Sequence, residues 1–166
     1  TNDFQNMLKY NEMARLKAFS HYSLNEIIYY AKKIFDYKYA NNCMDKSSIN
    51  SAVTMTKLLQ VSGEISESFE YLNKLLPLVK DKKDFVKEEV DVQLNLGTGY
   101  YFLYDTAKAL SYYNTALDIA EKSGIEIKLS TPYRLMGGAY YFRFDLKTAD
   151  YYFEKAIKYA DKNDLV

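Results

Sequence analysis

The 166-residue sequence contains no tryptophan, one cysteine, one histidine and two prolines, and its 22 basic side chains balance 22 acidic ones. Each shortage removes a class of function. Cys43 alone cannot form an internal disulfide, and it reads as a small semi-buried side chain near a loop rather than as a nucleophile. His21 has no second histidine for a two-histidine metal motif and no serine or cysteine at a recognisable triad spacing. No glycine-rich phosphate loop is present. No catalytic residue, metal or cofactor is therefore expected.

Charge is equally uninformative about a polyanionic partner. The chain carries 12 basic and 9 acidic residues up to Lys83, then 10 and 13 after it. Neither part offers a basic field for nucleic acid or an anionic membrane. No run of 18 apolar residues could span a bilayer, and no signal-peptide pattern is present. Because the chain starts at Thr1 rather than methionine, it is expected to be excised from a longer protein. The compartment stays open, with cytoplasm slightly favoured over a periplasmic sensor region.

The scarcity of proline and glycine, together with abundant Lys, Glu, Leu and Ala, favours long helices over short strands and frequent turns. Tyrosine stands out, with 18 residues. The most informative stretch is Leu94 to Ala120, because its pattern recurs. Leu96, Gly97, Tyr100, Ala109, Tyr113 and Ala116 are each followed, 40 residues later, by Met136, Gly137, Tyr140, Ala149, Phe153 and Ala156. Six matches at one offset mark an internal repeat, and repeats of this period build helical solenoids or arrays.

Apolar spacing of three and four residues predicts eight helices. They run over about Phe4–Phe19, Leu24–Tyr39, Ser48–Val61, a fourth from just after Gly63 to a kink or end near Pro77, Phe85–Leu103, Asp105–Lys122, one opening near Ser130, and Leu146–Asp161. The seventh has two possible starts. Pro132 behind Ser130 and Thr131 fits a first-turn proline, and Ile125, Ile127 and Leu129 fit an earlier turn with a kink. Lys80 to Asp84 reads as a solvated connection, and Glu88, Glu89 and Asp91 as an exposed helix face.

Eight helices make four hairpins, at about residues 4–42, 46–82, 84–124 and 126–162, expected to form a single domain over 1–166. Aligning their second helices makes Ile27, Ser68, Ala109 and Ala149 equivalent, with Ala31, Leu72, Tyr113 and Phe153 four residues on. The glycines at 97 and 137 would let the second helix of each hairpin approach closely. Tyr100 and Tyr140 lie three residues further along the same helical face and would fill the space between helices. Gly138, beside Gly137, fits the same close packing. No single hairpin can bury such a stripe alone, so neighbours must stack on it.

These residues are where the chain resembles the tetratricopeptide repeat (TPR) family, whose hairpin carries Leu-Gly and an aromatic in its first helix and Ala, aromatic, Ala in its second. The third and fourth hairpins match this well. The first two lack the glycine, having Arg15 and Thr56 there. The 40-residue period is similar to the longer-helix branch found in kinesin light chain and in bacterial sensor and regulatory proteins, which share phrases such as LNLG at Leu94–Gly97 and ALDIAEKSG at Ala116–Gly124. The resemblance implies an all-α, right-handed superhelical solenoid of four hairpins.

The resemblance also implies a concave groove, lined by the first helix of each hairpin, that holds a peptide or partner protein. Carried onto this sequence, the lining comprises Lys9, Glu12, Leu16 and Phe19, then Asn50, Val53, Lys57 and Gln60, then Asp91, Leu94, Thr98 and Tyr101, and finally Thr131, Arg134, Gly138 and Tyr141. Asn95 is added because long-repeat relatives touch a peptide backbone with an asparagine before the Leu-Gly. The strongest candidates for ligand contact are Lys57, Gln60, Leu94, Asn95, Thr98, Tyr101, Arg134 and Tyr141.

Tyrosine pairs recur throughout, and adjacent rings on a helix diverge by about 100°. One ring of each pair can therefore face the core and the other the groove. Tyr101 and Tyr141 are the groove-facing members, and aromatic residues are enriched among binding hot spots. The last helix shows Tyr151, Tyr152, Ile157 and Tyr159 around its core residues without a polar helix to cap it. It is expected to pack on another repeat, a following domain or a second copy. The sequence thus points to a non-catalytic protein- or peptide-binding module in a larger bacterial signalling or regulatory protein. Its rival is a structural spacer or oligomerisation solenoid with no specific groove ligand.

Overall fold

The computed structural model describes Asn6, residues 9–14, Lys17, residues 23–125 and residues 128–161. Asn6, residues 9–14 and Lys17 are helical, within the span expected for the first helix. Arg15, Leu16, Phe19 and His21 lie outside the described residues. Seven helices follow: α1 (Leu24–Ala40), α2 (Lys46–Val61), α3 (Ile65–Val79), α4 (Val86–Phe102, entered through a 3₁₀ turn at Lys83–Phe85), α5 (Thr106–Lys122), α6 (Ser130–Phe142) and α7 (Leu146–Asp161). The described residues are all-α, in the helical-hairpin arrangement expected from the repeat.

The ends of these helices follow from local chemistry. Asp45 caps α2, its Oδ1 accepting from the Ser48 amide at 2.8 Å and the Ser48 hydroxyl at 2.6 Å. Lys38 Nζ donates to Asp45 Oδ2 at 2.9 Å and Ser48 Oγ at 2.6 Å, tying the end of α1 to the start of α2. The Ser48 hydroxyl bond contributes most to holding the Asp45 carboxyl at about 2, well below its ordinary value. Ser23, at the N-cap of α1, makes no side-chain cap bond. Pro77 lies inside α3, which continues only to Val79, as expected where a proline removes a backbone donor.

Contacts group the chain into two compact units, one up to Tyr71 and one from Leu72 on. In the first, α1 packs on α2 and buries Ile27, Ala31, Ile34 and Phe35 against a core that includes Ile49, Ala52 and Met55. The Tyr71 ring meets Phe35 edge-on at 5.0 Å, and Lys32 pairs with Glu67 at 2.6 Å.

In the second unit α4 and α5 form one hairpin, α6 and α7 the next, and α6 lies against α5. Their shared core includes Val90, Leu94, Ala109, Tyr113, Ala116, Ala120, Tyr133, Met136 and Ala139. The 40-residue repeat is visible atom by atom. A β-carbon added at Gly97 would sit 2.5 Å from Cε1 of Tyr113, and one at Gly137 would sit 2.7 Å from Cδ1 of Phe153. Each glycine seats the large ring of its own second helix. Tyr100 stacks on Tyr112 at 5.5 Å and Tyr140 on Tyr152 at 5.4 Å, both pairs within 10° of parallel. The aligned residues Ile27, Ser68, Ala109 and Ala149 are all buried.

Three local expectations are corrected. Cys43 is exposed rather than semi-buried. Gly138 would meet nothing within 4 Å if given a side chain, so close packing does not require it. Glu88 and Glu89 are buried rather than solvated. Glu89 turns back so that its Oε2 accepts from the Asp81 amide at 3.1 Å, in a turn where Asp81 has φ of 58°.

Candidate functional site

The same hydrogen-bonded closure ends the first helix of the second, third and fourth hairpins. The amides of Glu64, Asp105 and Asp145 each bond the carbonyl five residues back, on Leu59, Tyr100 and Tyr140, at 2.8, 3.0 and 3.1 Å. This closure places the preceding residue in the left-handed region, where glycine or asparagine is the usual occupant. Gly63 takes that position at φ 90°, and Asn42 and Gly124 take it in the two other turns closed the same way. Tyr104 and Phe144 take it in the third and fourth hairpins, at φ 61° and 59°.

A bulky side chain in this conformation costs roughly 1–2 kcal/mol. Burial does not offset that cost, because Tyr104 is 87% exposed and Phe144 89% exposed. Both turns belong to a repeated phrase, YYFLYD at 100–105 and YYFRFD at 140–145. The closing aspartates serve both flanking helices. Asp105 Oδ1 accepts from the Lys108 amide and Asp145 Oδ1 from the Thr148 amide, at 3.1 and 3.2 Å. These bonds, the side-chain bonds to Lys108 and Thr148 first among them, hold both carboxyls below their ordinary values.

The C-terminal ends of α4 and α6 lie side by side. The Tyr101 ring contacts Phe142 edge-on at 5.3 Å. Between them lies a cavity of about 180 Å³ walled by Tyr101, Phe102, Tyr104, Thr106 and Phe142. Partial burial raises the Tyr101 hydroxyl pKa, so the ring is neutral at ordinary pH. Leu103, Tyr141 and Leu146 are further exposed apolar side chains of the second unit. Lys108 is paired with Asp105 at 2.9 Å. The site therefore offers rings and hydroxyls in a concave setting, a surface suited to gripping an apolar side chain of a partner.

The expected contact residues divide sharply. Thr98 and Tyr101 are half-buried on α4, while Arg134 and Tyr141 are exposed on α6. Thr98 donates to the Leu94 carbonyl at 2.8 Å, and the Tyr113 hydroxyl donates to Thr98 Oγ1 at 3.5 Å. Leu94 and Asn95 are buried and offer almost no surface to a ligand, Leu94 as part of the core cluster. Asp91, expected toward the groove, is held by Lys128 through both carboxylate oxygens at 2.9 and 2.8 Å. In the first unit Lys57 is exposed, and Gln60 is buried with its amide donating to Ser68 Oγ at 2.9 Å. Phe102, Tyr104, Phe142 and Phe144 were not among the sequence candidates, although the repeated aromatic phrase carries them.

Among the described residues, no group of three or more His, Cys, Asp and Glu side chains is placed to hold a metal ion. Among the same residues, no helix is long and apolar enough to cross a membrane.

No family model matches the chain, and no curated protein sequence matches it. Solved structures do. The apo form of RapI superposes with a TM-score of 0.79 at 14% identity, covering 95% of this chain and 57% of that one. BtubC (BKLC) from P. vanneervenii superposes at 0.63 and 13% identity, covering 96% and 58%. A protein from Podosopora anserina assigned as a kinesin light chain, with nearly identical TPR-like repeats, superposes at 0.69 and 13% identity, covering 96% and 77%. The chain thus has the fold of TPR-like repeat proteins, and it spans less than three fifths of the length of the first two.

Proposed function

We propose that this chain is a non-catalytic module that binds a protein or peptide, and that the exposed aromatic turns of the third and fourth hairpins are its principal contact surface. Tyr104 and Phe144 carry the proposal. Each occupies a left-handed position that glycine fills in the second hairpin, and neither ring is buried. Backbone strain retained without a packing return points to a role outside the fold itself. Tyr101 and Tyr141, on the first-helix faces beside the turns, extend the surface, with Thr98 and Arg134 as polar contacts. The likeness to TPR-like repeat proteins supports a binding role, and the context we favour is the sensory or scaffolding region of a larger bacterial signalling or regulatory protein.

The test uses a Tyr104→Gly, Phe144→Gly double variant beside the parent as bait in native lysate, with bound proteins read by mass spectrometry. Glycine relieves the strained backbone, so the variant folds at least as well as the parent. A partner held by the parent and lost by the variant supports the proposal. A profile identical to the parent's refutes it and returns weight to a structural spacer.

A further inference from the structure

The outward face of the last hairpin has a covered twin one repeat earlier. On α5, Ala109, Tyr113, Ala116 and Ala120 are fully buried in the core that α6 completes with Tyr133, Met136 and Ala139. Forty residues on, Ala149, Phe153, Ala156 and Ala160 repeat the small-large-small-small pattern on α7; Ala149 and Ala156 are buried within the hairpin, and Phe153 and Ala160 keep half-exposed surface. Leu117 is partly buried against the core, whereas its counterpart Ile157 is 59% exposed. Two shallow depressions flank Phe153 on this face. One is lined by Leu146, Ala149, Asp150 and residues around them, the other by Arg134, Ala156, Ile157, Ala160 and Ser130.

The seam is symmetric about Phe153. Leu146, Ala149 and Asp150 precede it by seven, four and three residues, and Ala156, Ile157 and Ala160 follow it by three, four and seven. An antiparallel two-fold through Phe153 therefore lays one depression of each copy over the other depression of its mate, which is the self-complementarity an isologous contact demands. The charges obey the same operation. Arg134 lines the second depression, and Asp150 and Lys147 line the first. Among the described residues, neither Arg134 nor Asp150 has an ion-pair partner within the chain. The two-fold carries Asp150 of one copy over Ala156 of the other, beside its Arg134, and does so twice.

We infer that this face is where two copies of the chain pair, antiparallel about Phe153. The strip is one α-helix long, about 24 Å for 16 residues, and a width of two helices gives on the order of 500 Å² per copy. That is below the roughly 800 Å² per partner of a standard stable interface, so the dimer is weak and reversible. Pairing here goes beyond the protein-binding proposal, which stands on Tyr104 and Phe144 in the aromatic turns, although Arg134, Tyr141 and Leu146 border both surfaces.

Sedimentation equilibrium of the 166-residue chain from micromolar to millimolar concentration tests it. The parent should show a reversible monomer–dimer equilibrium. Arg134→Glu and Asp150→Arg should each weaken it tenfold or more, because each places like charges together twice. An equimolar mixture of the two single variants should restore dimers to the parent level, since unlike copies remake both ion pairs. Ile157→Lys, at an exposed seam position, should abolish pairing with the helical circular dichroism unchanged. A parent that stays monomeric throughout overturns the inference, as do charge variants that dimerise like the parent or a mixture that fails to recover. A face that only a different protein protects from hydrogen exchange also overturns it.

Discussion

Adding one methyl group at Gly97 should destabilise the protein, while the same change at Gly138 should stabilise it. Both glycines lie inside helices, where glycine costs roughly 0.5–1 kcal/mol relative to alanine. At Gly97 the new carbon would lie 2.5 and 2.6 Å from two carbons of the Tyr113 ring and 3.1 Å from the Ala109 carbonyl oxygen. Carbon atoms in ordinary contact are about 3.5–4 Å apart, so the ring must retreat by about 1 Å. It has nowhere to go, because Tyr113 is wholly buried among Ala109 and Ala116. Overpacking of this kind costs about 1–3 kcal/mol, which exceeds the helical gain and leaves a net loss of about 1–2 kcal/mol. At Gly138 nothing lies within 4 Å, so only the gain remains. For a chain of this size 1 kcal/mol moves Tm by about 2–4 °C. Thermal unfolding followed at 222 nm should place Gly97→Ala several degrees below the parent and Gly138→Ala about 2–3 °C above it. Gly137→Ala should follow Gly97→Ala, since Phe153 occupies the same place. A Gly97→Ala variant as stable as the parent, or a destabilised Gly138→Ala, would refute the assignment of these glycines.

Other expectations follow from the turns, the caps and the buried hydroxyls. Tyr104→Gly and Phe144→Gly should each raise stability by about 1 kcal/mol in urea unfolding, with the double variant near the sum of the two. Asp45→Ala removes the cap of α2 and should cost about 1 kcal/mol. Because the Asp45 carboxyl is lowered to about 2 in the folded chain, its contribution is present above the ordinary carboxylate range and fades as pH falls from about 4 toward 2. The parent should therefore lose more stability over that window than the alanine variant. Burial raises the Tyr113 hydroxyl to about 12. Its stabilising effect is complete below pH 10 and is lost between 10 and 12, at about 1.4 kcal/mol per pH unit for one such group. Unfolding at pH 11 should be easier than at pH 9, and Tyr113→Phe should flatten that dependence.

Periodicity exposed the architecture because the repeat is carried by core residues. Gly97 with Tyr113 and Gly137 with Phe153 are paired in sequence by their common offset and in space by ring-to-backbone contact. Helix limits were legible where a single side chain sets them, as Asp105 does for α5. The candidate site was legible only in part. Thr98, Tyr101, Arg134 and Tyr141 keep exposed or half-exposed surface, but Leu94 and Asn95 share α4 with them and are buried. The spacing of four that joins Leu94 to Thr98 describes one helical face and does not say where along it the next hairpin lies. Tyr104 and Phe144 escaped notice for a different reason. A turn that closes by a bond five residues back forces φ positive whatever residue stands there, and an aromatic in that place reads in sequence like one more core ring.

The most direct test of the binding proposal replaces Tyr104 with a photo-crosslinking phenylalanine and, in a separate chain, Asn114 on the exposed side of α5. Irradiation in native lysate should yield a discrete adduct from position 104 and none from position 114. Adducts of equal yield from both positions, or from neither, would contradict a binding surface at the aromatic turns.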